Sequence, residues 1–157
     1  MMYSLLLWLH VIGAAVLLGT GAGIAFFMVM AHRSGDAASI AHVAGTVVIA
    51  DFLFTATAVV SQPVTGALLM VRQGWPLSTP WIAAAVGLYF VIGLFWVPVI
   101  FIQMRMRDLA RAAAAMCQPL PATYYRLYRC WFAFGFPAFF AVLAILWLMV
   151  AKPDLTI

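Results

Sequence analysis

Two ionisable side chains stand in the middle of long apolar runs: His10, within Trp8-Leu9-His10-Val11-Ile12-Gly13, and Asp51, within Ala50-Asp51-Phe52-Leu53-Phe54-Thr55. In hydrocarbon such a group costs about 2.5 to 3.5 kcal/mol on insertion scales, so each needs a partner or a task to hold it there. His32 falls in a charged turn, and His42 falls near the start of the second apolar run.

A neutral imidazole in an apolar helical bundle is a suitable axial ligand for haem iron. At 100° per residue Gly13, Ala14, Leu17 and Gly21 share the face of His10, and their mostly small side chains leave room for a close helix or a flat ligand. The structural alternative is a histidine hydrogen-bonded to a neighbouring helix, and the spacing alone leaves both open. Gly19 and Gly23 lie on the opposite face as a Gly-x-x-x-Gly pair, the usual signature of tight helix contact.

Asp51 is followed by Thr55, Ala58, Gln62 and Thr65 at 4, 3, 4, 3 spacing, a polar and small stripe that must face the bundle interior. Asp51 with Thr55 would serve as a proton relay or polar track, or Asp51 would be a protonated acid bonded to Thr55 or to a carbonyl opened by a proline. His10 and Asp51 differ in depth by roughly 15 Å, too far to share a metal ion. Nine methionines raise copper handling as a further chemistry, with Met28 and His32 at i, i+4 on one face. Cys117 and Cys130 have no metal-type spacing and read as structural.

The elements that would position these groups follow from composition. Of 157 residues, 68% are hydrophobic and 8% charged, whereas a soluble domain carries about 25% charged residues. That excludes a soluble fold and predicts an all-α, polytopic four-helix bundle, a single membrane domain over 1–157 with spans at about 3–30, 40–71, 81–104 and 129–151. The first span lacks a basic leader and a small-residue cleavage motif, so it reads as a retained helix. Pro63, inside the second span, should free a backbone carbonyl one turn earlier for a neighbouring helix to satisfy. The basic segment from Arg105 to Arg111 should carry the third helix out of the bilayer.

Antiparallel packing puts Gln62 and Tyr89 in the layer of His10, where they would act as partners of the imidazole, while His42 lies about 30 Å away and cannot share an iron with His10 in one protomer. Arg33, Arg105, Arg107, Arg111, Arg126 and Arg129 fall on one side of the membrane, and Arg72 and Lys152 on the other. The positive-inside rule then places both termini outside, so the net charge of +4 speaks for anionic lipid and not for nucleic acid. Val-Ile-Gly recurs at 11–13 and 91–93, a hint of duplicated hairpins.

Taken with Arg105-Met106-Arg107-Asp108-Leu109 and with Trp131-Phe132 before Gly135-Phe136-Pro137-Ala138-Phe139, the His10 and Asp51 segments resemble a bacterial family of small four-helix integral membrane proteins of unassigned function. Through Leu9-His10 and the glycines of the first span, the chain is also distantly similar to CopD-like copper-resistance proteins and to the HemJ-type protoporphyrinogen oxidase. The second resemblance implies His10 as the axial ligand of haem b. The chain departs from the HemJ pattern, which relies on an intramembrane lysine; its one lysine is Lys152.

The expectation is a multi-pass protein of the bacterial inner membrane that binds haem b. His10 would be the iron ligand, and Gly13, Gly21, Gln62 and Tyr89 would surround the cofactor. Electron transfer or a haem-dependent oxidoreductase activity would follow, with a quinone or porphyrinogen as partner and a homo-oligomer as one assembly. The rival readings are a CopD-like copper or ion transporter and a non-catalytic scaffold or accessory subunit.

Overall fold

The computed structural model of the protein describes residues 1–154. It is built from α1 (Met2–Ser34), α2 (Ala37–Ala50), a π-helical turn (Asp51–Thr55), α3 (Ala56–Gln73), α4 (Pro80–Ala115) and α5 (Ala122–Ala151). Because α2, the π-turn and α3 run on without a break, these elements form four helices long and apolar enough to cross a membrane.

The connectors are set by local chemistry. At the end of α1, Gly35 adopts a left-handed φ of 69°, which glycine reaches without a Cβ clash. Asp36 then caps α2, accepting from the Ser39 amide at 2.8 Å and the Ala38 amide at 3.4 Å. Gly74 ends α3 in the same left-handed region, and Pro80 opens α4 at a position where its missing N–H costs nothing. α4 runs through the basic segment from Arg105 to Arg111 and on to Ala115. The last helix begins at Ala122, earlier than the expected Arg129, because Tyr124 is fully buried and Trp131 nearly so, which holds its first turns against the bundle.

Packing is uneven along the bundle axis. At the basic end, where the 35–36 and 116–121 connectors lie, Met28, Ile40, Met106, Ala110, Tyr124 and Trp131 belong to one buried core. At the end that carries the termini, Trp81, Ile82, Ala85 and Leu148 form a smaller one, with Met70 and Trp75 packed against it. Lys152 sits 4.5 Å above the Trp75 ring, and Trp75 meets Trp81 edge-on at 5.0 Å. Between the ends of the terminal half, across residues 2–23, 56–73, 86–98 and 132–147, just Gly13, Ala58 and Ala141 are buried. There the chain is close to two helical pairs, α1 with α3 and α4 with α5.

A hydrogen bond between the pairs repairs a break in α3. Pro63 has no N–H to offer the carbonyl of Val59 one turn earlier, and the Tyr89 hydroxyl of α4 donates to that oxygen at 2.6 Å. In hydrocarbon an orphaned carbonyl is costly, so Tyr89 both heals α3 and fixes its register on α4. The space beside Gly19 and Gly23 is open, so the Gly-x-x-x-Gly pair makes no tight helix contact among the described residues.

Candidate functional site

His10 is carried by α1 and faces α3. Its Nδ1 lies 2.8 Å from Oγ1 of Thr65. That hydroxyl in turn sits 2.8 Å from the Ser61 carbonyl and 3.2 Å from the Gln62 carbonyl of its own helix. A threonine hydroxyl has one hydrogen. With it directed at the carbonyls one turn back, Oγ1 accepts from Nδ1–H of His10, which leaves Nε2 as the lone-pair nitrogen. Nε2 makes no hydrogen bond among the described residues, and the His10 side chain is partly exposed.

The neighbours of His10 are arranged differently from the simplest sequence picture. Gln62 reaches the His10 layer and donates from Nε2 to the backbone carbonyl of His10 at 2.8 Å; the ring itself is held by Thr65. The Gln62 amide fills the space over Gly13, so the absence of a side chain at Gly13 makes room for that amide. Gly66 of α3 faces the ring, and a Cβ there would lie 3.4 Å from Cε1. Gly21 is open to its surroundings, and Tyr89 is engaged with Val59. Sequence reasoning placed Thr65 on the Asp51 stripe but gave it no role at the imidazole. Its i, i+3 step from Gln62 was the available signal.

Asp51 opens the π-turn, which closes through the Ala56 amide donating to the Asp51 carbonyl. The side chain is 4% exposed, and Nε1 of Trp96 donates to its Oδ1 at 3.3 Å. Thr55 is 7% exposed, and its hydroxyl is buried without a hydrogen-bond partner. The wider turn rotates the helix that follows. In consequence the stripe divides: Asp51 meets α4 through Trp96, while Gln62 and Thr65 meet α1. Neither the π-turn nor the Trp96 contact is visible in residue spacing, because a regular helix was the only register available to count with.

His32, assigned from sequence to a connector, lies in the last turn of α1. Its ring stacks on Tyr128 at 3.6 Å between centroids with a 9° interplanar angle, and its Nδ1 is 3.3 Å from the Tyr124 hydroxyl. These tyrosines recur at i, i+4 on α5, the signal by which a shared aromatic wall would be found. His42 is exposed on α2, and both cysteines are free and exposed. Among the described residues no three His, Cys, Asp or Glu side chains come together as a metal site.

The fold defines an all-α integral membrane protein with four helices long and apolar enough to span a membrane, and polar side chains meet across helix seams at His10 and at Asp51. Residues 4–153 match the DUF2269 family, described as predicted integral membrane proteins, and the chain belongs to that family. No curated protein and no solved structure matches it.

Proposed function

We propose that the protein is a b-type haem protein of the bacterial inner membrane, with Nε2 of His10 as the iron ligand. The observation that carries this reading is the Thr65 hydroxyl on Nδ1. Metal-ligating imidazoles characteristically donate their other N–H to a fixed acceptor, which sets the tautomer and raises ligand basicity. The donor chemistry of the site fits one axial imidazole. No second histidine reaches it, since His32 is engaged with Tyr124 and Tyr128 about 33 Å along the helix. The sparsely packed terminal half supplies apolar surface beside the ring, and Gly66 of α3 faces the Cε1 edge of the ring without a side chain. The resemblance of Leu9-His10 and the glycines of the first span to the HemJ-type pattern supports the same ligand.

When bound, the haem would supply one-electron chemistry. The chain's own part is to hold the imidazole in one tautomer through Thr65, to fix the local backbone through the Gln62 amide on the His10 carbonyl, and to exclude water with the surrounding apolar helices. Electron transfer to or from a quinone suits such a site, with a porphyrinogen as the alternative substrate. The basic ends of α1, α4 and α5 would face the cytoplasm.

The decisive experiment is a reduced-minus-oxidised spectrum of the protein purified in detergent after expression with ample haem, beside that of His10→Ala. A Soret and α-band in the wild type that vanish in His10→Ala are expected. A wild type that carries no haem under these conditions ends the reading.

A further inference from the structure

The polar group at Asp51 is independent of the His10 site and has a property of its own. Within the expected spans 3–30, 40–71, 81–104 and 129–151, Asp51 is the one acidic side chain. Of the elements packed against the π-turn, α1 brings no titratable group between His10 and His32, α2 none after His42, and α3 none before Arg72. On α4, which supplies Trp96, there is none between Tyr89 and Arg105. A carboxylate there would therefore be a buried charge with no counter-charge, with the Trp96 indole N–H on it and the Thr55 hydroxyl close beside it.

Beside it lies a second unmet demand. The Thr55 hydroxyl, one turn on, is buried and unbonded, and a buried hydroxyl left so costs about 1 to 3 kcal/mol. A buried water needs two to four polar partners. The Asp51 carboxyl and the Thr55 hydroxyl supply them, while Trp96 holds Oδ1 of the acid from the other side. A metal cation is a poor occupant, because hard cations take about six or more oxygen ligands. Here one carboxyl and one hydroxyl are joined by an N–H donor, which repels a cation.

We propose that Asp51, Thr55 and Trp96 form a proton-binding site at mid-membrane, in which Asp51 is a neutral carboxylic acid hydrogen-bonded through one water to Thr55. The π-turn opens on Asp51 and ends on Thr55, and such turns are frequent at functional positions. The site exchanges its proton by a balanced step: the carboxyl O–H passes its hydrogen to the water while the water returns one to the carboxyl. In heavy water COOH and D₂O give COOD and HDO, with no net charge created.

The test is infrared spectroscopy of the full-length protein in lipid at neutral pH. A protonated-carboxyl C=O band is expected in the wild type, shifting within minutes of transfer to D₂O and absent from Asp51→Asn. A lipophilic carbodiimide, which reacts with neutral acids, should label the wild type at Asp51 by mass spectrometry. Thr55→Val, close to isosteric, should keep the band while slowing its D₂O shift about tenfold, the effect of one lost hydrogen bond. An ionised Asp51 at neutral pH, a protonated band that never exchanges, or exchange unchanged in Thr55→Val would each overturn the proposal. The wild-type and Thr55→Val measurements stand even if Asp51→Asn fails to fold, and none of them depends on haem.

Discussion

Tyr89 of α4 donates its hydroxyl to the carbonyl of Val59 on α3 at 2.6 Å, and Val59 is the residue whose helical partner Pro63 removes. A break in one helix and a polar group on another thus cancel within the apolar interior. They do so where few side chains are otherwise buried to hold α3 against α4.

Tyr89→Phe should lower stability by about 1 kcal/mol, since it strands a carbonyl. If the bond is compensation for the proline, Pro63→Ala in the same chain should abolish most of that loss, because an alanine N–H at position 63 restores the helical bond. Unfolding of the four variants in mixed micelles by denaturing detergent reads the coupling. An equal Tyr89→Phe loss with proline or alanine at position 63 would refute the compensation.

The glycines of α1 should separate sharply. An alanine Cβ at Gly13 meets the Gln62 amide, so Gly13→Ala must displace that flexible side chain and lose its bond to the His10 carbonyl, at about 1 kcal/mol. In a Gln62→Ala background the same substitution should be neutral or stabilising, because alanine favours a helix over glycine by about 0.5 to 1 kcal/mol. Gly19→Ala and Gly23→Ala meet open space and should be stabilising in a monomer. Destabilisation at Gly19, accompanied by loss of a dimer on size-exclusion chromatography, would instead place the Gly-x-x-x-Gly face in a homo-oligomer seam.

How much of this was legible beforehand depended on whether a feature followed from composition and regular helical counting. The four spans did, since no other arrangement hides a chain with 68% hydrophobic residues. Depth counting brought Gln62 to His10, and the proline rule required a donor near Val59. It could not name Tyr89 as that donor, because the donor's rotation about α4 depends on how the helical pairs dock. The π-turn was illegible for a related reason: Asp51 and Thr55 keep an i, i+4 spacing whether the turn is regular or wide. The Thr65 bond to the imidazole and the His32 stack on Tyr128 depend on side-chain rotamers across a seam, which spacing along one helix does not determine.

At the basic end, Asp36 gives the connector a defined pH response. Hydrogen bonds from Ser39, and from the Ala38 amide, favour its charged form and hold its carboxyl below the ordinary aspartate range. A folded-state value below the unfolded one means the cap contributes fully above the unfolded pKa and is lost as pH falls through the folded pKa. Asp36→Ala should therefore lower the thermal midpoint at neutral pH and flatten its decline across the acid range below about pH 4. Circular dichroism melts from neutral to acid pH would show this. Parallel curves for wild type and variant would mean the cap is silent.

Thr65 offers the sharpest test of the reading at His10, because its hydroxyl touches only the far nitrogen of the ring. If Nε2 binds iron, Thr65→Val should leave haem bound but weaken its retention by about 10- to 100-fold, as loss of an outer hydrogen bond to a ligating imidazole does. The reduction potential should rise as the imidazole becomes a poorer donor. Thr65→Ser keeps the hydroxyl and should restore both. A purely structural histidine predicts a different pattern: Thr65→Val would cost stability, and neither spectrum nor potential would respond. Haem titration and redox potentiometry on the three proteins decide between the two, and an unchanged potential in a Thr65→Val protein that still binds haem would remove Thr65 from the site.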